Sequence, residues 1–212
     1  MSTEFDHTNL WLAKMLFELG GISFGNFTLG RSTVNSPIYL NPRVLISSPR
    51  ALKTVAEIVD QETQLGQARR RPTVHPFDLV AGVPVGGLHL ATAFSLRTDV
   101  PLIYPRTSPG GEILEGRYRE GQTVLLIDDL ITTGGSILET GSLLKEAGLE
   151  VKDAIVLIDR EQGAERRLRE HGYNLISILR LKTLLNYYRS NGLIDSDQFE
   201  RSMRYIETHQ AK

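Results

Sequence analysis

The stretch from Thr123 to Ser136, TVLLIDDLITTGGS, constrains this chain more than any other. Val124 to Ile127 form an unbroken apolar run, the pattern of a parallel strand covered on both faces. Asp128 and Asp129 stand where that strand is predicted to end. In open α/β sheets, ligands bind beyond the carboxyl ends of the strands. Leu130 and Ile131 lead into Thr132, Thr133, Gly134, Gly135 and Ser136, and a helix-like stretch follows. Small side chains, hydroxyls and free backbone N–H groups at a helix N-terminus make a phosphate cradle. Two adjacent carboxylates at such a place are costly to bury without a partner. The segment therefore predicts an anion-binding turn beside a carboxylate pair that holds a polyhydroxylated or metal-bound group. It lacks the Gly-Lys-Ser/Thr of a P-loop and the Gly-x-Gly-x-x-Gly of a dinucleotide site.

The surrounding sequence repeats a strand–helix rhythm. Strands are predicted at 79–83, 101–104, 123–127, 154–158 and 175–178, with helices at 88–97, 135–147 and 162–171. Residues 105–120 read as a loop. This alternation predicts an α/β fold with a doubly wound, mainly parallel sheet. Two further helices, 181–190 and 196–209, close it, with Asp195 placed as an N-cap. Upstream, a helix at 7–19 is stopped by Gly20-Gly21. Short β-like pieces at 23–29 and 37–40 follow, and Pro49 opens another helix. No linker divides the chain, so residues 1–212 are predicted to be a single domain, with 1–45 as a small N-terminal hood.

Formal net charge is −1, which gives no electrostatic footprint for nucleic-acid binding. Arg69, Arg70 and Arg71 read as solvated surface. There is no cysteine, which excludes disulfides and thiolate chemistry and fits a cytoplasmic location. No apolar run is long enough for a membrane span. His7, His75, His89, His171 and His209 show no metal-ligand spacing.

Residues 123–136 closely resemble the phosphoribosyl-pyrophosphate (PRPP) motif of type I phosphoribosyltransferases. Ser36-Pro37-Ile38-Tyr39, Ala81-Gly82-Val83-Pro84 and the stretch from Asp153 to Gly163 are similar to the orotate phosphoribosyltransferase branch. The resemblance implies a type I phosphoribosyltransferase-like fold that transfers phosphoribose from PRPP to orotate in pyrimidine (UMP) biosynthesis. It implies that Asp128 and Asp129 hold the ribose hydroxyls near Mg2+, with no certain direct metal ligand. Asp128, Asp129, Leu130, Ile131, Thr132, Thr133, Gly134, Gly135 and Ser136 would bind PRPP, joined by Arg106. Asp128, Asp129 and Arg106 would be catalytic, and Thr132, Arg160 and Tyr39 would bind orotate. An arginine suits a carboxylate because its planar fork offers two parallel donors. A homodimer without nucleic-acid or membrane partners is also implied.

The sequence departs from this pattern in its lid. Arg106 matches the first arginine there, but Thr107 stands where a lysine is usual. The later lysine and histidine have no counterpart, and Glu112 and Glu115 add negative charge. Near the hood turn, Arg31 is the cation available where a lysine is common. Two alternatives follow: a catalytically impaired regulatory homologue that binds PRPP or a nucleotide, and a phosphoribosyltransferase for another base.

Overall fold

The computed structural model describes residues 5–29, 33–108 and 111–209; Arg31 and the lid residues Pro109 and Gly110 lie outside these. Helix α1 (Phe5–Glu18) leads into an antiparallel hairpin of β1 (Ile22–Leu29) and β2 (Thr33–Leu40). A 3-10 turn (Pro42–Ser47) connects the hairpin to α2 (Pro49–Ala68). Ser48 caps α2 and Pro49 occupies its first turn, where a missing N–H costs nothing. Then follow β3 (Leu79–Gly82), α3 (Gly86–Thr98), β4 (Leu102–Ser108) and β5 (Gly111–Glu115). The chain continues through β6 (Thr123–Ile131), α4 (Gly135–Glu146), β7 (Glu150–Asp159), α5 (Ala164–Glu170) and β8 (Asn174–Arg180). Helices α6 (Leu181–Ser190) and α7 (Ser196–Thr208) complete the described chain. Asp195 caps α7 as predicted, in a reciprocal box with Gln198.

Among the described residues the main sheet runs β5-β4-β3-β6-β7-β8. Every pairing is parallel except that of the edge strand β5. From β3 the chain first moves outward to β4, then returns to lay β6 on the other side of β3. That reversal opens a crevice between β3 and β6 at their carboxyl ends. Successive side chains explain the unbroken apolar run. Leu125 and Ile127 enter the core shared with α1, α2, α3 and α6, whereas Val124 and Leu126 enter the one shared with α4 and α5.

The N-terminal part is packed onto the first of these cores. Leu12 and Leu16 are fully buried, each contributing roughly 1.5–3 kcal/mol of hydrophobic stabilisation. Tyr188 on α6 donates its hydroxyl to the Ala13 carbonyl at 2.8 Å. One prediction needs correction. Residues 105–120 are not simply a loop: β4 continues to Ser108 and folds back on β5, with Arg106 opposite Ile113 and Thr107 opposite Glu112. Ladder pairing between β3 and β4 involves only Leu102 and Ile103, so the hairpin projects past the sheet. An edge hairpin of this kind needs no apolar period, and Pro105 is tolerated there.

Candidate active site

β6 does not stop at the aspartates but runs through them to Ile131, paired with β7 throughout. Asp128 is 7% exposed and accepts the Asp129 backbone N–H at 2.8 Å. The Asp129 carboxylate lies against the start of α3, where a Cβ at Gly86 would overlap it. A Cβ at Gly87 would strike the Ile127 carbonyl. Both glycines are thus required by close approach of the turn after β3 to the end of β6. Val83 N–H also donates to Ile127 O at 2.9 Å.

This packing sets the electrostatics. Burial pushes the Asp128 carboxyl well above the ordinary carboxylate range, and the neighbouring Asp129 charge adds to the effect. Burial raises Asp129 as well, opposed by its hydrogen bond with Asp128 and by the charge of Arg43. Arg43 sits on the 3-10 turn, exposed, with its Nε donating to Asn41 Oδ1 at 3.2 Å. Sequence reasoning missed it, because no motif marks a cation that reaches the aspartates only through tertiary packing.

Thr132 and Thr133 are half-buried, and Ser136 is exposed at the start of α4. Gly134 makes the turn at φ 82°, a conformation that favours glycine. Arg167 on α5 donates to the Thr133 carbonyl at 3.2 Å and buttresses the turn from outside. Leu130 and Ile131 turn their side chains into the two cores.

Beside the turn a cavity of about 380 Å³ is lined by Val83, Val85, Tyr104, Arg106, Ser136 and Glu139. Arg106 and Ser136 are thus brought together. Arg106 is half-exposed and its Nε donates to Glu115 Oε1 at 2.8 Å across the hairpin. The acidic residue that weakens the lid's charge is also the one that holds its arginine.

Arg160 follows β7 on the other side of the aspartates. It is only 2% exposed. Its backbone N–H donates to Ile131 O at 3.0 Å, tying it to the motif strand, and its Nη2 donates to Ser36 Oγ at 3.0 Å. Burial lowers its affinity for the proton, although it stays cationic. Ser36 itself is fully buried and donates to Ile38 O at 2.7 Å. Tyr39 lies three residues further along β2. Its ring packs against Phe27 with centroids 5.6 Å apart.

No group of three or more His, Asp or Glu side chains among the described residues converges to hold a metal by itself. No described helix is long and apolar enough to cross a membrane.

The phosphoribosyl transferase domain profile matches residues 48–179. The chain is 36% identical over 177 residues to the orotate phosphoribosyltransferase of Pyrococcus abyssi, covering 82% of this chain and 93% of that protein. It is 34% identical over 200 residues to the uridine 5'-monophosphate synthase of Bos taurus, covering 92% of this chain but 40% of that longer protein. The crystal structure of orotate phosphoribosyltransferase from Aeropyrum pernix matches with a TM-score of 0.70 at 32% identity, over 82% of this chain and 97% of that one.

Proposed function

The chain belongs to the phosphoribosyl transferase domain family, and we propose that within it the protein is an orotate phosphoribosyltransferase. It joins the phosphoribosyl group of PRPP to a ring nitrogen of orotate, releasing pyrophosphate and giving orotidine 5'-phosphate for UMP synthesis. One observation carries this reading. A buried arginine at the end of β7 is tied to the strand that bears the acidic pair, so an anionic base is gripped one strand away from a ribose site.

The residues act by position and charge. The turn from Thr132 to Ser136 takes the 5'-phosphate on its backbone N–H groups and hydroxyls. Asp129 accepts the ribose hydroxyls and faces the positive charge that develops on the ring as pyrophosphate departs. Asp128 keeps that carboxylate in place by accepting the Asp129 backbone N–H. Arg43 and Arg106 supply positive charge to the departing oxygens. Arg160 fixes the base through its carboxylate.

The donor set suits Mg2+: two hard carboxylates and, among the described residues, no full protein cage, which would leave substrate phosphates to complete the shell of a bound ion. When bound, it neutralises charge on the pyrophosphate. We also assign a homodimer, in which a neighbouring subunit covers the exposed end of the crevice.

A second reading, a PRPP- or nucleotide-binding regulator, draws on the pairing of Arg106 with Glu115. An absorbance assay of orotate consumption with PRPP and Mg2+ separates the two. Turnover that disappears in the Asp128→Asn/Asp129→Asn protein supports the enzyme. Folded protein that binds PRPP by calorimetry without consuming orotate supports the regulator or a different base.

A further inference from the structure

Left-handed backbone at residues other than glycine is uncommon and costly, and it gathers at functional sites. Among the described residues only Asn35, Asp99 and Glu161 adopt it, at φ 50°, 58° and 58°. Asp99 closes the C-terminus of α3, an ordinary helix end. The other two bracket a single hydrogen bond. Asn35 precedes Ser36, Glu161 follows Arg160, and Arg160 Nη2 donates to Ser36 Oγ at 3.0 Å. Each strained residue is pinned. The Asn35 backbone N–H donates to Thr28 Oγ1 at 3.2 Å. The Glu161 backbone N–H donates to Asp159 Oδ1 at 2.7 Å, and the Glu161 carboxylate accepts the Lys182 backbone N–H at 2.8 Å. The hairpin is irregular at the same place: the register of β1 and β2 shifts on both sides of the Phe27–Ser36 pair. Bulges of this kind re-aim a side chain.

The Ser36 hydroxyl has no latitude of its own. Its proton goes to Ile38 O at 2.7 Å, and its oxygen accepts the Ile38 N–H at 3.3 Å as well as the arginine. Both Ser36 and Arg160 are buried, so solvent water does not reach the bond to replace it. We propose that Ser36 is a positioning residue for Arg160, and through it a determinant of base choice. Its oxygen holds one guanidinium N–H and so fixes the plane in which the fork meets the substrate carboxylate. The hood thereby takes part in recognition without its serine touching the base. The strained residues on either side are what it takes to bring a hairpin and a sheet strand to one point.

Steady-state kinetics of the full chain test this. Ser36→Ala removes the hydroxyl and keeps the Cβ. Its KM for orotate is expected to rise about tenfold, the effect of losing one hydrogen bond to a charged group, with KM for PRPP unchanged. In an Arg160→Ala background the same substitution is expected to add nothing. A serine that merely stabilises the hood would move both KM values or neither, and either result overturns the inference. So does a further rise in the Arg160→Ala background, since Ser36 would then act without the arginine. The inference rests on Arg160 gripping orotate, and the two fail differently. An unchanged orotate KM in Arg160→Ala overturns that reading. A raised value there with an unchanged one in Ser36→Ala overturns only the role of Ser36. Should Ser36→Ala not fold, Ser36→Cys keeps the shape with a weak sulfur acceptor, and the same split between the two KM values is read from it.

Discussion

Arg106 and Arg160 carry the same charge on opposite sides of the aspartate pair, yet they are held in opposite ways. Arg106 stands half-exposed on a projecting hairpin and is paired with Glu115. An ion pair of that kind is worth about 0–1 kcal/mol, so its arginine is released at little cost when a pyrophosphate offers more charge. Arg160 is buried between strand and hood, with its backbone fixed to β6 and its fork on Ser36. Removing it from water is expensive and its position is correspondingly fixed. A group that must follow a leaving charge is left on the surface, whereas one that must tell one base from another is built in.

Substitutions can break or sharpen this contrast. The largest effect belongs to the pair between the two arginines. Asp128→Asn/Asp129→Asn is expected to lower kcat by at least about a thousandfold, measured by orotate absorbance. Next, Arg160→Lys keeps the charge but loses the fork. KM for orotate should rise roughly 10–100-fold with KM for PRPP unchanged; equal changes in both would show that Arg160 does not discriminate. Arg106→Ala should act on the other side, lowering kcat by about tenfold with little change in orotate KM. Glu115→Gln, which frees Arg106, should shift stability by less than about 0.5 kcal/mol in urea melts.

A further effect concerns pH. Because Asp128 has a raised value in the native state, the folded protein holds a proton that the unfolded chain has already released above about pH 4. Stability contributed by this group therefore falls as pH rises from that point through the native value. Asp128→Asn abolishes the loss. Its Tm should exceed that of the wild type by a few degrees at neutral pH, and the two should converge near pH 4. A lower Tm at neutral pH would mean that the Asp128 carboxyl is better tolerated in its site than its burial implies.

The sheet and the phosphate turn were legible in the sequence because both are written locally. Val124 to Ile127 need two apolar faces, and Thr132 to Ser136 carry the composition of the turn they make. The edge hairpin was not legible. Its Ser-Pro-Gly-Gly segment signals a turn, but β5 is short and carries glutamates on an exposed edge. The partners of the charges were also hidden. Arg43 and Ser36 come to Asp129 and Arg160 through packing between elements far apart in sequence, and no spacing rule records that.

Ser36 and Arg160 are 124 positions apart, which bears on how the protein is made. A chain leaving the ribosome presents β2 first, then the aspartates and the phosphate turn, and α7 only later. Contacts of such high sequence separation form late, after the entropy of closing a long loop has been overcome. A nascent chain therefore closes its grip on the base only once both ends of that span have emerged and met.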